Sequence, residues 1–355
     1  MFYKLSTSLA RSLMEAWPNE PRPNDLSTWQ VFQQDGYLTA ARDEQDAVKR
    51  QSAQWRYDYE TQMGFFDTYY PRFDTRELAG QDVLDLGCFT AGRLVNWAEK
   101  YRFRLAAGID INPVFEDAGK LFAASKGVRC DLRTGFGEDL PWDDAAFDSV
   151  ISFDVFEHVR DVAVVLQECY RVLKPGGRLF ACFPPFYQPL EAHLGAVTKM
   201  PGLHWLFSGG TITAAFDEII AERGPRADWY RRSNPGLAAW EKLPTLNGIT
   251  VRRFRRILRS QPGWNVEFWS RKPVFSDGRR SRQTVFRLLQ LAAAFPARLP
   301  LLEELFLGRI CCTLQKAPSG AKAVETVRRR VTPGRNRAAR NSAHSPRTAD
   351  HPKAA

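Results

Sequence analysis

The sequence is most informative first by what is missing. It has six cysteines but no Cys-x-x-Cys pair, and most of the six sit within apolar runs. That excludes a zinc ribbon and argues for reduced, buried thiols over a disulfide framework. No uninterrupted run of about 18 apolar residues occurs, so no membrane-spanning helix is expected. The nearest approach, Leu288 to Leu307, is broken by Pro296, Arg298, Pro300, Glu303 and Glu304. Between Met1 and Trp17, Lys4, Ser6, Ser8, Arg11 and Ser12 interrupt any apolar stretch, so a signal peptide is not expected. No His/Cys/Asp spacing suggests a metal site, and no internal repeat is visible. Together these absences give a cytoplasmic protein as the expectation.

What is present is a chain of 355 residues, 44% hydrophobic and 25% charged, enough for a sizeable core. Its net charge of +10 is uneven. From Lys316 onward ten Lys/Arg face only Glu325 and Asp350, so most of the excess belongs to the tail. The basic balance is therefore no argument that the folded body binds nucleic acid.

Three regions follow from pattern. Residues 1–80 read as an N-terminal helical extension, with Pro18, Pro21 and Pro23 in an irregular stretch. Its helical part, 37–70, is rich in Trp55, Tyr57, Tyr59, Phe65, Phe66, Tyr69 and Tyr70, which suits either a helix packed on the core or a cap over a pocket. Residues 81–316 form the main domain, where strand and helix alternate. Strands are expected at 83–86, 105–110, 128–133, 148–153 and 178–183. Helices are expected at 91–101, 113–125 and from Asp161 to the Pro175-Gly176-Gly177 stop. Such alternation implies a parallel sheet with helices on both faces. Residues 184–249, with seven prolines and no clear strand, read as a large, partly helical insertion after the fifth strand, expected to form the acceptor pocket together with the N-terminal aromatic helices. Beyond it come helices at 251–259, 283–294 and 300–307, and strands at 264–270 and 309–315. The tail, 317–355, has few large apolar residues, and disorder is expected there.

The chemistry-bearing signal begins with Asp85-Leu86-Gly87-Cys88-Phe89-Thr90-Ala91-Gly92, between a strand and a helix. A glycine there lets backbone approach a ligand, and the helix N-terminus turns N–H groups toward it. Asp110, in Gly108-Ile109-Asp110-Ile111-Asn112, ends the second strand, where a carboxylate can accept both hydroxyls of a ribose. The pair points to a nucleoside cofactor in a Rossmann-like crevice. Gly137-Glu138-Asp139-Leu140-Pro141, then Phe147 to Ser152 with Glu157-His158-Val159, and finally Leu173-Lys174-Pro175-Gly176-Gly177 complete the series.

In order and spacing these four motifs resemble the class I S-adenosylmethionine-dependent methyltransferases, in particular the branch with the ubiquinone- and menaquinone-pathway enzymes. The resemblance spans residues 80–183. It implies a seven-stranded, mostly parallel sheet whose last strand is antiparallel, and S-adenosyl-L-methionine as cofactor. It further implies that Asp85, Gly87 and the backbone near Cys88 line the methionine end. Asp110 would bind the ribose with Ile111 against the adenine, Gly137 and Glu138 would bound the adenine edge, and Asp154 would face the methionine portion or the acceptor. Two positions depart from the pattern. Phe89 stands where a second glycine is usual, so the loop must take another path or accept strain. Phe136 stands where many relatives carry an aspartate for the adenine amine.

His193, in the insertion beside the strand ends, is the first candidate for a general base, and His158 is the second. Phe183-Pro184-Pro185-Phe186 resembles the Asn-Pro-Pro-Tyr motif of amino-group DNA methyltransferases, but it follows the wrong strand and lacks the polar first residue. The expected activity is methyl transfer to a small-molecule or lipid-like acceptor. The alternatives are a non-catalytic cofactor-binding scaffold and a methyltransferase acting on nucleic acid or protein. The arginines at 252, 253, 255, 256 and 259 and the basic tail would allow peripheral contact with a membrane or an acidic partner. No aromatic-interleaved basic platform for nucleic acid accompanies them.

Overall fold

The computed structural model describes residues 2–19, 25–189, 194–195, 197–223, 246–273, 284–296, 299 and 302–318. Helices α1 (Phe2–Ala16), α2 (Asp35–Leu38), α3 (Arg42–Met63) and α4 (Phe65–Tyr69) precede the sheet. Then β1 (Asp82–Leu86), α5 (Gly92–Tyr101), β2 (Leu105–Asp110), α6 (Pro113–Lys126), β3 (Cys130–Thr134), β4 (Phe147–Phe153), α7 (Val162–Val172) and β5 (Leu173–Phe183) alternate. The insertion carries α8 (Leu203–Leu206) and α9 (Gly209–Arg223). The chain closes with α10 (Val251–Ser260), β6 (Trp264–Pro273), α11 (Thr284–Ala294), α12 (Glu303–Phe306) and β7 (Leu307–Lys316).

The seven strands lie in the order β3-β2-β1-β4-β5-β7-β6. The pairs among β1 to β5 are parallel, and β7 runs antiparallel to both β5 and β6. The order reverses between β1 and β4, which opens a crevice at the carboxyl ends of those strands. Strand residues alternate between two apolar faces, as the two-residue period of a strand requires. Leu84, Leu86, Val150, Leu179, Ala181 and Cys312 pack toward Val165, Leu166 and Cys169 of α7 and Val251 and Phe254 of α10. Val83, Ile151, Phe180, Cys182 and Cys311 pack toward Phe66, Tyr70 and Trp97. A fully buried side chain of this size contributes about 1.5–3 kcal/mol, so both faces are anchored.

The helix boundaries follow local chemistry. Asn112 Oδ1 accepts the Val114 N–H at 3.0 Å, Pro113 opens α6, and Gly127 ends it at φ +69°. Asp161 caps α7 by accepting from Ala163 and Val164. The fifth strand differs from expectation. It begins at Leu173, which pairs with Phe147, and resumes with Ser149 opposite Arg178 after an irregularity. The Lys-Pro-Gly-Gly turn is therefore a bulge within the strand, not only a helix stop. Lys174 Nζ bridges Asp82 Oδ2 at 2.9 Å and Asp148 Oδ2 at 2.8 Å, tying β1 and β4 together at their amino ends. The helix expected over 300–307 shrinks to Glu303–Phe306, because Leu307 already pairs with Pro273 of β6.

The insertion, expected to lack strands, carries helices and no named strand among the described residues, with an isolated bridge from Thr198 to Pro18. That bridge lies beside the packing of α1 on α9, where Ala10 and Met14 join Ile212, Phe216 and Ile220. The N-terminal extension and the insertion thus share one apolar cluster. The tail expected to be disordered lies, from residue 319, outside the described residues. No described helix is long and apolar enough to cross a membrane.

Candidate active site

The loop after β1 is held to β2 through its backbone. The Gly87 and Cys88 N–H groups both donate to Ile109 O, at 2.9 and 3.0 Å. Gly87 has φ +76°, and a Cβ there would stand 2.2 Å from Val155 Cγ2, so both conformation and the neighbouring loop require glycine. Phe89 takes a left-handed conformation, with φ +50°. Two contacts compensate that strain. Its N–H donates to Asp110 Oδ2 at 2.9 Å, and its ring lies 4.3 Å from that of Phe115, with the Arg56 guanidinium 4.7 Å away. The loop therefore accepts strain at Phe89. Cys88 packs its thiol among Leu94, Ala106 and Leu132, and burial pushes that thiol well above its usual range.

Asp110 ends β2 half-buried, and its carboxylate accepts N–H groups from Phe89, Ile111 and Asn112. Burial raises it to about 6, against the lowering effect of those donors. Asp85, only 4% exposed at the end of β1, is raised to about 7 by burial; Arg93 opposes this, while Asp110 and Glu60 add to it. Asp154 follows β4 at φ +61°. Burial alone would raise it, but its ion pair with Arg309, helped by Arg93 and His158, holds it below the usual carboxylate range. Ile111, 43% exposed, and Phe136, 54% exposed, are large apolar side chains left open just past the ends of β2 and β3.

Sequence comparison fits this geometry. Residues 84–181 match the family described as "Methyltransferase domain". That stretch runs from β1 to β5 and so contains the Gly87 turn and Asp110. A ubiquinone biosynthesis O-methyltransferase of Xanthomonas euvesicatoria pv. vesicatoria is 35% identical over 105 residues, 29% of this chain and 43% of that protein. The protein of the same description in Xylella fastidiosa (strain 9a5c) is 36% identical over 104 residues, 29% of this chain and 42% of that one. The chain thus spans under half the length of these curated relatives. Among solved structures, an S-adenosylmethionine-dependent methyltransferase from Mesorhizobium loti aligns over 70% of this chain and 98% of its own, at 19% identity and a TM-score of 0.43. A putative sarcosine dimethylglycine methyltransferase from Galdieria sulphuraria aligns over 68% and 81%, at 17% identity and a TM-score of 0.42.

Within the methyltransferase domain, Gly137 packs against Leu86 and Val165, since a Cβ there would meet their methyl groups at 3.2 and 3.4 Å. Glu138 Oε1 accepts the N–H groups of Arg160 and Asp161, at 2.7 and 3.0 Å, and so secures the entry to α7. That is a structural task, distinct from the adenine contact that the resemblance implies. His158 lies 3.8 Å from Glu157 with its side chain 37% exposed, on the loop that bears Asp154. His193 lies outside the described residues. No group of three or more His/Cys/Asp/Glu that could hold a metal is found among the described residues.

Three arginines of this site escaped the sequence reading. Arg56 comes from α3, Arg93 from α5 and Arg309 from β7. The Arg56 Nη2 donates to Ser27 O at 2.7 Å, but its buried Nε has no hydrogen-bond partner among the described residues. Burial, and secondarily Arg93, lowers this guanidinium to about 10. Arg93 reaches Glu60 at 3.6 Å, while Glu60 accepts the Trp97 indole N–H at 2.9 Å. Thr90 is likewise fully buried with its hydroxyl unpartnered among the described residues. Arg93 directly follows the Gly92 of the motif and could have been suspected. Arg56 was hidden in the aromatic stripe, and Arg309 lies 155 residues from its partner Asp154. Orphaned buried donors beside raised carboxylates suit a ligand with both an ammonium and a carboxylate group. Tyr57 packs on Phe122, while Arg56 faces the crevice charges.

Proposed function

We propose that this protein transfers the methyl group of S-adenosyl-L-methionine to a small acceptor, with a hydroxyl-bearing, quinone-type ring as the acceptor class. The observation that carries the reading is the Asp110 carboxylate at the end of β2, beside a glycine turn that is pinned to the same strand. The methyltransferase-domain match over 84–181 supports the cofactor. The description of the curated relatives as O-methyltransferases of ubiquinone biosynthesis supports the acceptor class. In this reading Asp110 accepts the ribose hydroxyls, Asp85 the cofactor's ammonium, and Arg56 donates to its carboxylate. Ile111 and Phe136 give the adenine its apolar faces.

When bound, the cofactor supplies an electrophilic methyl carbon, so the protein's work is alignment and exclusion of water. A hydroxyl acceptor must lose its proton, and in this reading His158, on the loop that bears Asp154, takes it. The first test is calorimetric titration of the full chain with S-adenosylhomocysteine. Micromolar binding is expected, weakened about a hundredfold, or ~2.7 kcal/mol, in Asp110→Ala. Absence of binding to the unaltered protein would overturn the reading.

A further inference from the structure

Helix α11 presents an apolar ridge that the core does not use. Leu288 and Leu291, with Phe295 just past the helix end, are spaced three and four apart and so share one face. They are 63%, 71% and 70% exposed. Ala293, on the opposite face, is buried, and α11 lies against β6. The ridge continues in sequence to Leu299 and Leu302, both exposed. Large apolar side chains gathered in water in this way mark a contact surface.

The charge around the ridge has one sign. Between Gly278 and Leu302 the sequence has five arginines and no Asp or Glu, and Arg287 stands exposed beside Leu288. The two acids that follow are turned inward. Glu303 is buried and pairs with Arg255 Nη2 at 3.1 Å and Arg271 Nε at 2.7 Å. Glu304 accepts the backbone N–H groups of Arg252 and Val251, and burial pushes its carboxyl up to about 7. These bonds join the end of the ridge, at Leu302, to the first turn of α10. That helix has five arginines and no acid, and Arg252, Arg253, Arg256 and Arg259 are exposed.

We propose that this surface docks the protein on a lipid bilayer bearing anionic headgroups, with Leu288, Leu291 and Phe295 entering the acyl boundary and the arginines of α10 against the phosphates. An apolar ridge joined to an acid-free cationic helix matches a surface that is anionic outside and apolar a few ångströms deeper. Charge alone would hold the protein at the headgroups, and the ridge supplies the insertion. A second copy of the chain fits worse, because a two-fold contact would bring the same arginines toward one another. No described helix is long and apolar enough to cross a membrane, so α11 lies in the interface rather than spanning it. Docking of this kind stands apart from the methyltransferase reading and adds a place of action to it.

The test is flotation of the full chain with vesicles of phosphatidylcholine alone and of equal parts phosphatidylcholine and phosphatidylglycerol. Expected is binding to the anionic vesicles that is more than about tenfold weaker on the neutral ones and falls as salt is raised. Two full-length variants accompany it. Leu291→Glu combined with Phe295→Glu alters only exposed side chains, so urea denaturation should not shift, while affinity for anionic vesicles should fall more than about tenfold. Arg256→Glu combined with Arg259→Glu should cause a loss of about the same size, with S-adenosylhomocysteine affinity unchanged in both. No binding to anionic vesicles, or binding that the Leu291 and Phe295 variant retains, as the basic tail alone would give, would overturn the proposal. So would a lipid-free chain that sediments as a dimer and becomes monomeric in that variant, since the ridge would then belong to a second copy.

Discussion

Between Asp85 and Asp110 the crevice is shaped by backbone: Gly87 and Cys88 donate to Ile109 O, and Phe89, Ile111 and Asn112 donate to one carboxylate. Beyond β5 a half-open cavity is instead bordered by side chains, with Phe186, Tyr187, His204 and Phe207 around it. A backbone-built site depends on φ/ψ and close approach, so a few short motifs can specify it. A side-chain-built site can change its lining without changing the fold. The contrast accounts for short motifs that are readable between β1 and β5 and for the lack of any readable motif beyond β5.

Gly92→Ala should break the first half most severely. A Cβ at Gly92 would stand 1.9 Å from Ala53 O, a backbone atom of α3 that cannot rotate away. A loss of more than about 3 kcal/mol is expected in urea denaturation. A stability near that of the unaltered protein would show that α3 does not lie against α5 as described.

Next in size is Arg56→Ala, expected to weaken S-adenosylhomocysteine about tenfold, or ~1.4 kcal/mol. Binding of 5′-methylthioadenosine, which lacks the amino-acid end, should not change. Equal losses for both ligands would place Arg56 elsewhere than at the carboxylate.

A smaller effect concerns pH. Asp85 and Asp110 are raised from 3.8 to about 7 and about 6 in the folded chain. The folded state therefore holds their protons longer than the unfolded one. The stability this confers is full below pH 3.8 and is lost as pH rises through the folded values. The ligand-free chain should thus lose melting temperature between pH 4 and pH 7. Asp85→Asn should flatten much of that slope and raise the melting temperature at pH 8, while weakening S-adenosylhomocysteine. An unchanged slope would mean that Asp85 ionises normally. Since an ammonium group favours the ionised carboxylate, affinity for the cofactor should rise through the same window.

Phe89→Gly should change least. It relieves a left-handed strain of roughly 1–2 kcal/mol but removes the ring packing on Phe115 and Arg56. A net shift within about 1 kcal/mol is expected in urea denaturation, and a large gain would show that the ring contacts contribute little.

Much of the β1–β5 half was legible because its signals are local. Asn112, Pro113 and Gly127 mark α6, Asp161 starts α7, and β2 falls where its apolar run predicted. The early start of β5 was not legible. Lys174-Pro175-Gly176-Gly177 reads as a terminator along the chain, and only pairing of Leu173 with Phe147 makes it a bulge. Nor was it legible that Glu138, expected at the adenine edge, accepts the N–H groups of Arg160 and Asp161 at Oε1.

The sequence by itself determined the alternation of strands and helices, the glycine turn after β1 and the acid at the end of β2. Each depends on residues a few positions apart, whose conformational preferences act wherever the chain goes. Only the tertiary structure decided that Arg56, Arg93 and Arg309 converge beside Asp85 and Asp154. It also decided that the antiparallel last strand, β7, lies between β5 and β6, and that Phe186, Tyr187 and His204 border a cavity. Those arrangements join residues from separate elements. Their partners are set by which apolar faces pack together, and that information is spread over the whole core rather than written in any one segment.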